Sequence, residues 1–196
     1  MTLLGGLEKE IIVVDDGSKD GTREILKTIP GIRYIFHEKN LGKGGAVKTG
    51  FQAATGDILV VQDADMEYEP ADFKLMLAKM EESGGQVVYG SRRLAHSYFK
   101  SRHSGHIFAL GGILLTWLTN VLYGIKITDE PTCYKMFRAD LLKSIDLKCE
   151  RFEFCPEVTA KIAKRGVKIH EVPINYYPRH KNEGKKIGWR DFFQAV

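Results

Sequence analysis

At 196 residues the chain has room for one domain of ordinary size, residues 1–196 throughout, and 43% hydrophobic content is ample for a core. Its formal charge of +4 suits anionic partners, but no recognised nucleic-acid motif accompanies that charge, so nucleic acid is not an expected partner. Cys133, Cys149 and Cys155 are odd in number and lack C-x-x-C spacing, which reads as reduced thiols in a cytoplasmic compartment and argues against a zinc site.

The first half alternates strands and helices. Glu10-Ile11-Ile12-Val13-Val14 is a short apolar run of the kind found in buried parallel strands. Asp15-Asp16-Gly17-Ser18 then turns, and Asp20-Gly21-Thr22 leads into a helix near residues 23–28. Residues 32–37 read as a strand. Asn40-Leu41-Gly42-Lys43-Gly44-Gly45 reads as a loop that opens a helix over 46–54, closed by Gly56. Residues 57–62 form the next strand, 71–83 a helix and 86–89 a strand. This rhythm predicts an open α/β sheet whose ligands bind at the carboxyl ends of the strands. Asp15-Asp16, Asp63/Asp65 and Ser91-Arg92 all fall at such ends, so the three form one candidate site.

Residues 107–123 carry no charge and are mostly apolar, while Thr116, Thr119, Asn120 and Tyr123 recur at helical spacing. A transmembrane helix needs about 20 residues, so the length is borderline. Basic residues and histidines precede the run and Lys126 follows it. A membrane-interface helix over 106–125, apolar side in lipid, fits better than a span; a helix buried in the protein core is the other reading. No basic region followed by an apolar run opens the chain, so a signal peptide is not expected. Positive charge concentrates in two places. Ser91 to Thr128 has five basic residues, three histidines and no carboxylate, and Arg179 to Arg190 has five basic residues against Glu183 alone.

Asp63-Ala64-Asp65 is the most telling motif. Alternate side chains share one face of a strand, so Asp63 and Asp65 can converge on one hard cation, which in turn can carry a diphosphate. An Asp-rich turn is the plainer alternative. Glu67 lies on the same alternation.

Val13-Val14-Asp15-Asp16-Gly17-Ser18-x-Asp20-Gly21-Thr22, Asn40-Leu41-Gly42-Lys43-Gly44, Asp63-Ala64-Asp65 and Gly90-Ser91-Arg92 together resemble the signature series of family-2 GT-A glycosyltransferases. Thr128-Asp129-x-Pro131-Thr132-x-Tyr134-Lys135-x-Phe137-Arg138 and Phe152-Glu153-Phe154-x-Pro156-Glu157 extend the likeness, which is strongest to the dolichyl/polyprenyl-phosphate sugar transferases. The resemblance implies an α/β GT-A fold, a Rossmann-like open mixed sheet flanked by helices. It also implies inverting transfer of a hexose from a GDP- or UDP-hexose to a polyprenyl phosphate at the cytoplasmic face of a membrane, with the protein bound peripherally.

By position, Asp63, Asp65 and Glu67 would hold Mg²⁺ or Mn²⁺, with Ala64 between them in the donor site. Asp15 and Asp16 would bind the base or ribose, and Lys43 would approach the nucleotide. Arg92 and Arg102 would meet phosphate, and Asp129 would orient the acceptor or cap a turn before Pro131. Arg179, Lys185 and Lys186, on a basic flexible loop over 179–190, would close over the diphosphate or form a solvated tail. Asp65, Asp129 and Arg92 are thus the catalytic candidates. A polysaccharide or protein acceptor, or an inactive nucleotide-sugar- or membrane-binding fragment, are the competing readings.

Members of the family begin with a strand, a Pro-x-x-Asn-Glu-like turn and a helix ahead of the Asp16 strand. Residues 1–9 are too short for such a unit, which takes about 20–25 residues. The expectation is an N-terminally truncated fold with a gap or a repaired pairing in the sheet, and weak or no activity.

Overall fold

The computed structural model describes residues 8–95, 106–151 and 153–179, side chains of 106–109 excepted. Strand β1 (Ile12–Asp15), helix α1 (Thr22–Thr28) and strand β2 (Arg33–Phe36) form a βαβ unit, with Ile12 opposite Arg33 and Asp15 opposite Phe36 in a parallel ladder. Helix α2 (Gly42–Ala53) leads to strand β3 (Ile58–Val60). A 3-10 turn at Pro70–Asp72 runs into helix α3 (Phe73–Ser83), followed by strand β4 (Val87–Ser91) and helix α4 (His106–Tyr123). Strand β5 (Lys135–Arg138), helices α5 (Ala139–Lys143) and α6 (Phe154–Lys164) and strand β6 (Ile169–Pro173) complete the described chain.

The second sheet has the order β3-β5-β4-β6. β5 runs antiparallel to both its neighbours, and β4 and β6 are parallel, so the sheet is mixed. The strand alternation builds two cores, one on each face. Leu59, Val87, Tyr89 and Phe137 pack against α2, α5 and α6 through Phe51, Leu142, Phe154 and Val158. Val88, Met136 and Val172 point the other way, onto Tyr68, Met76, Met80 and Tyr134. Every residue of β4 is buried, as expected of a strand covered on both sides.

Among the described residues, the β1–β2 ladder shares no hydrogen-bonded strand pair with the four-stranded sheet. The sequence anticipates a gap or a repaired pairing beside the Asp16 strand; among the described residues the two ladders are separate. Side chains span it at both ends of α2. Before β1, the Glu10 carboxylate accepts from Thr55 N (2.5 Å), Thr55 Oγ1 (3.0 Å) and Gly56 N (2.9 Å), just ahead of β3. After β1, Asp16 accepts from the first amides of α2.

α4 is amphipathic in place as well as in sequence. Thr116 and Thr119 are buried, whereas Leu110, Ile113, Leu114, Trp117 and Val121 are each half or more exposed. No helix among the described residues is long and apolar enough to cross a membrane.

Candidate active site at the carboxyl ends of the strands

At the end of β1, Asp15 is buried and accepts from Arg23 Nε (2.7 Å) and Ser18 N (3.2 Å). The Ser18 hydrogen bond, helped by Arg23 and opposed by burial, holds its carboxyl below the usual range. Asp15 thereby fastens α1 to β1. Asp16 reaches across to α2, accepting from Leu41 N and Gly42 N at 2.8 Å each, and its Oδ1 lies 2.7 Å from His37 Nδ1. Leu41, the residue ahead of α2, offers no side-chain cap, so Asp16 caps the helix from another strand. Gly17 lies at φ +88 with Asn40 N only 3.0 Å from where a Cβ would sit, a turn that glycine alone adopts without strain.

The glycine-rich run is not a loop ahead of a helix at 46: the helix begins four residues earlier, at Gly42. Its glycines allow the backbone of 149–151 to come close. Gly44 N donates to Arg151 O (2.9 Å) and Gly45 N to Glu150 O (3.0 Å), while a Cβ on Gly44 would stand 2.9 Å from the Cys149 carbonyl. The amides of Leu41, Gly42, Gly44 and Gly45 at the start of α2 are thus used within the protein.

From this helix Lys43 turns toward β3. Its Nζ donates to Asp63 Oδ2 at 2.7 Å and to Cys133 Sγ at 3.0 Å. Burial opposes the Lys43 charge, but Cys133 and Asp63 outweigh it and hold its pKa above the ordinary lysine value. Burial also pushes the Cys133 thiol up to about 12, so it is protonated at neutral pH. β3 itself ends at Val60, yet the in-and-out alternation persists: Gln62, Ala64 and Met66 are exposed, and Asp63, Asp65 and Glu67 turn inward. Met66 is at φ 59, a left-handed residue between the second and third carboxylates.

Arg179 answers the other two acids. Its Nη2 donates to Asp65 Oδ2 (3.3 Å), and its N (3.1 Å) and Nε (3.4 Å) to Glu67 Oε1. Glu67 Oε2 accepts from the Tyr176 hydroxyl at 2.8 Å, and the Glu67 carbonyl accepts from Tyr177 N at 2.8 Å. Glu67 therefore anchors the segment after β6.

At the end of β4 the two residues read separately from the sequence, Arg92 and Asp129, meet. Arg92 Nε and Nη2 donate to the two Asp129 oxygens at 2.7 Å each. Burial would raise the Asp129 pKa, but Arg92 reverses that and lowers it. Glu171 in β6 accepts from Thr128 N (2.9 Å) and Asp129 N (3.3 Å), and Ser91 Oγ lies 2.6 Å from Thr128 Oγ1. Behind this turn Glu130 and Lys135 are fully buried, Lys135 Nζ donating to Glu130 O (2.6 Å) and lying 3.8 Å from the centroid of the Tyr89 ring. Sequence reasoning missed Glu171 and Tyr176; a single acid inside the apolar strand Ile169–Pro173 was the available signal for the first. Arg102, Lys185 and Lys186, and the basic loop beyond Arg179, lie outside the described residues.

The donor set fits a hard divalent cation in one specific sense. Among the described residues no group of three metal-ligating side chains forms a complete site. Asp63 and Asp65 are two inward carboxylates at a strand end, and Mg²⁺-type ions are commonly held by one or two carboxylates plus substrate phosphates. Such an ion would neutralise charge on a departing diphosphate.

An open, mixed α/β sheet flanked by helices, with paired carboxylates at its strand ends, is an architecture of GT-A type. Residues 3–146 match glycosyl transferase family 2, and the chain belongs to that family. It is 30% identical to the UDP-N-acetylglucosamine–dolichyl-phosphate N-acetylglucosaminyltransferase of Methanococcus voltae, covering 95% of this chain and 83% of that one. It is 28% identical to the undecaprenyl-phosphate mannosyltransferase of Micrococcus luteus, covering 92% and 77%. The same fold occurs in the glucosyl-3-phosphoglycerate synthase of Mycobacterium tuberculosis, solved with Mn²⁺, UDP-glucose and phosphoglyceric acid (TM-score 0.67, 23% identity, 92% of this chain). The chain spans 65% of that synthase's chain and 61% of another mycobacterial protein of the same fold.

Proposed function

We propose that this chain is a metal-dependent, inverting glycosyltransferase that takes a hexose from a GDP- or UDP-sugar and passes it to a polyprenyl phosphate at the cytoplasmic face of a membrane. The observation that carries the reading is the Asp63/Asp65 pair standing between Lys43 and Arg179, carboxylates for a cation flanked by cations for a diphosphate. A phosphate monoester has a second pKa of about 6, so the acceptor is already an anion at neutral pH and needs positioning more than a strong base. Asp129, bound to Arg92, then serves to aim a cation at that phosphate. The lipid acceptor rests on the relatives' activities and on the exposed apolar face of α4, which suits peripheral contact with a bilayer.

The test is calorimetric titration of the chain with UDP and GDP, each with and without Mn²⁺, followed by transfer from the matching sugar nucleotide to polyprenyl phosphate. Metal-dependent binding of one nucleotide, lost in Asp65→Asn, is the expected result. A cooperatively folded chain that binds neither nucleotide would overturn the proposal. Binding without transfer to the lipid would move the acceptor to a polysaccharide or protein.

A further inference from the structure

Tyr176 stands where the two halves of the site meet. The face of its ring lies 5.1 Å from Arg92 Cζ, close enough for attraction between the guanidinium and the ring's electron-rich face. The far end of the same side chain, the hydroxyl, donates to Glu67 Oε2 at 2.8 Å. Arg92 is the bidentate partner of Asp129, and Glu67 shares Arg179 with Asp65. An unbroken line of contacts therefore runs Asp129, Arg92, Tyr176, Glu67, Arg179, Asp65. The tyrosine is its one aromatic link and its stiffest, because two side-chain torsions set the position of both ends.

The surroundings keep that link from slackening. Tyr176 pairs with Tyr68 in an antiparallel bridge, and the two rings lie 5.2 Å apart. Tyr68 in turn stacks on Tyr134 at 4.7 Å, and its hydroxyl accepts from Cys133 N (3.3 Å). Backed by this stack, the ring transmits displacement instead of absorbing it. If Arg92 turns toward a phosphate, the attraction on the ring face weakens and the hydroxyl end shifts against Glu67.

We infer that Tyr176 is a positioning residue that couples the acceptor-side pair Arg92–Asp129 to the donor-side carboxylates, so that occupancy of either half alters affinity at the other. This rests on the function proposed above and adds to it a dependence between the two substrates. Such coupling is reciprocal by thermodynamic necessity, and spatial continuity alone does not establish it, so the test must read the coupling itself.

Binding of the preferred nucleotide with Mn²⁺ is measured with and without a short-chain polyprenyl phosphate in detergent micelles, for the parent and for Tyr176→Phe. The parent is expected to change its nucleotide Kd by about fivefold or more when the lipid phosphate is present, the lower end of common coupling strengths. Tyr176→Phe keeps the ring and removes the link to Glu67. It should reduce that effect to about twofold or less while each ligand still binds alone and the melting temperature holds. Tyr176→Leu, which also removes the face beneath Arg92, should abolish the coupling. Undiminished coupling in Tyr176→Phe, or a parent that binds both ligands independently, would overturn the inference. A parent that binds no nucleotide would instead bring down the functional reading and this inference with it.

Discussion

Arg92 closes on Asp129 with three hydrogen bonds: its backbone N (2.9 Å) and Nε (2.7 Å) to Oδ2, and Nη2 (2.7 Å) to Oδ1. The next residue, Arg93, turns to the other side and donates to Thr128 O at 2.9 Å. Consecutive arginines thus bracket the Thr128–Asp129 turn, and the cation aimed into the site is held by an acid with no exposed surface.

Asp129→Asn removes the countercharge and leaves the guanidinium paired with a neutral amide. Breaking a buried pair from one side costs about 3–5 kcal/mol, and the amide's shape places this variant toward the lower end. Because the folded-state pKa of Asp129 is lowered, its contribution is present above the unfolded value of about 3.9 and declines as pH falls through the folded one. Urea denaturation at pH 7 should show the full difference between parent and variant, and the difference should narrow below pH ~3.9.

Gly44→Ala tests the close approach of α2 to the 149–151 backbone. Replacing glycine by alanine inside a helix ordinarily gains about 1 kcal/mol. Here the new methyl would meet the Cys149 carbonyl at 2.9 Å, so the sign should reverse, with a loss of about 1–3 kcal/mol. Thermal melting settles the sign.

The first half of this fold was open to reading because its strands are continuous apolar runs punctuated by Asp, Gly and Ser. β1, β2, β3 and β4 lie within two residues of the expected spans at their starts and ends. The start of α2 was misplaced because glycine runs usually mark loops, and its reason for being helical, the carbonyls of 150 and 151, is a hundred residues away. β5 was hidden for a related reason. Lys135-Met136-Phe137-Arg138 has charged ends and only two apolar residues, and its place between β3 and β4 depends on long-range pairing. The acids at the strand ends were legible as types in a pattern. Their partners, Lys43 for Asp63 and Arg92 for Asp129, are products of the fold.

Glu157 offers a pH test away from the site. Its carboxylate accepts from Lys148 N (2.8 Å) and Cys149 N (2.7 Å) and pairs with Lys161 at the first turns of α6. Burial works against ionisation, but the Lys161 and backbone hydrogen bonds prevail and set its pKa at about 2. A depressed folded value means stability that is present above the unfolded pKa of about 4.3 and is lost as pH falls toward 2. Glu157→Gln should cost on the order of 1 kcal/mol at pH 7, the group being partly solvated, and its acid-unfolding curve should be flatter in that window.

Trp117→Glu places a charge in the middle of the exposed face of α4, 59% exposed in the parent. Flotation with anionic phospholipid vesicles should fall at least about tenfold, as expected for loss of a large aromatic contact at the interface. The melting temperature should be unchanged, since the side chain leaves no hole. Equal flotation of parent and variant would remove α4 as a membrane contact.

The break between the two ladders has a consequence for how the molecule opens. Strands held by a shared ladder separate together, whereas β1, α1 and β2 are fastened to the rest through α2 and the carboxylates of Glu10 and Asp16. That lobe is expected to exchange its amide hydrogens at a lower free energy than the β3-β5-β4-β6 sheet, as an independent cooperative unit. A nucleotide bridging Asp16 and the Asp63–Asp65 turn would then act as a clasp, and the slowed exchange of Ile12–Asp15 would report it before any product is made.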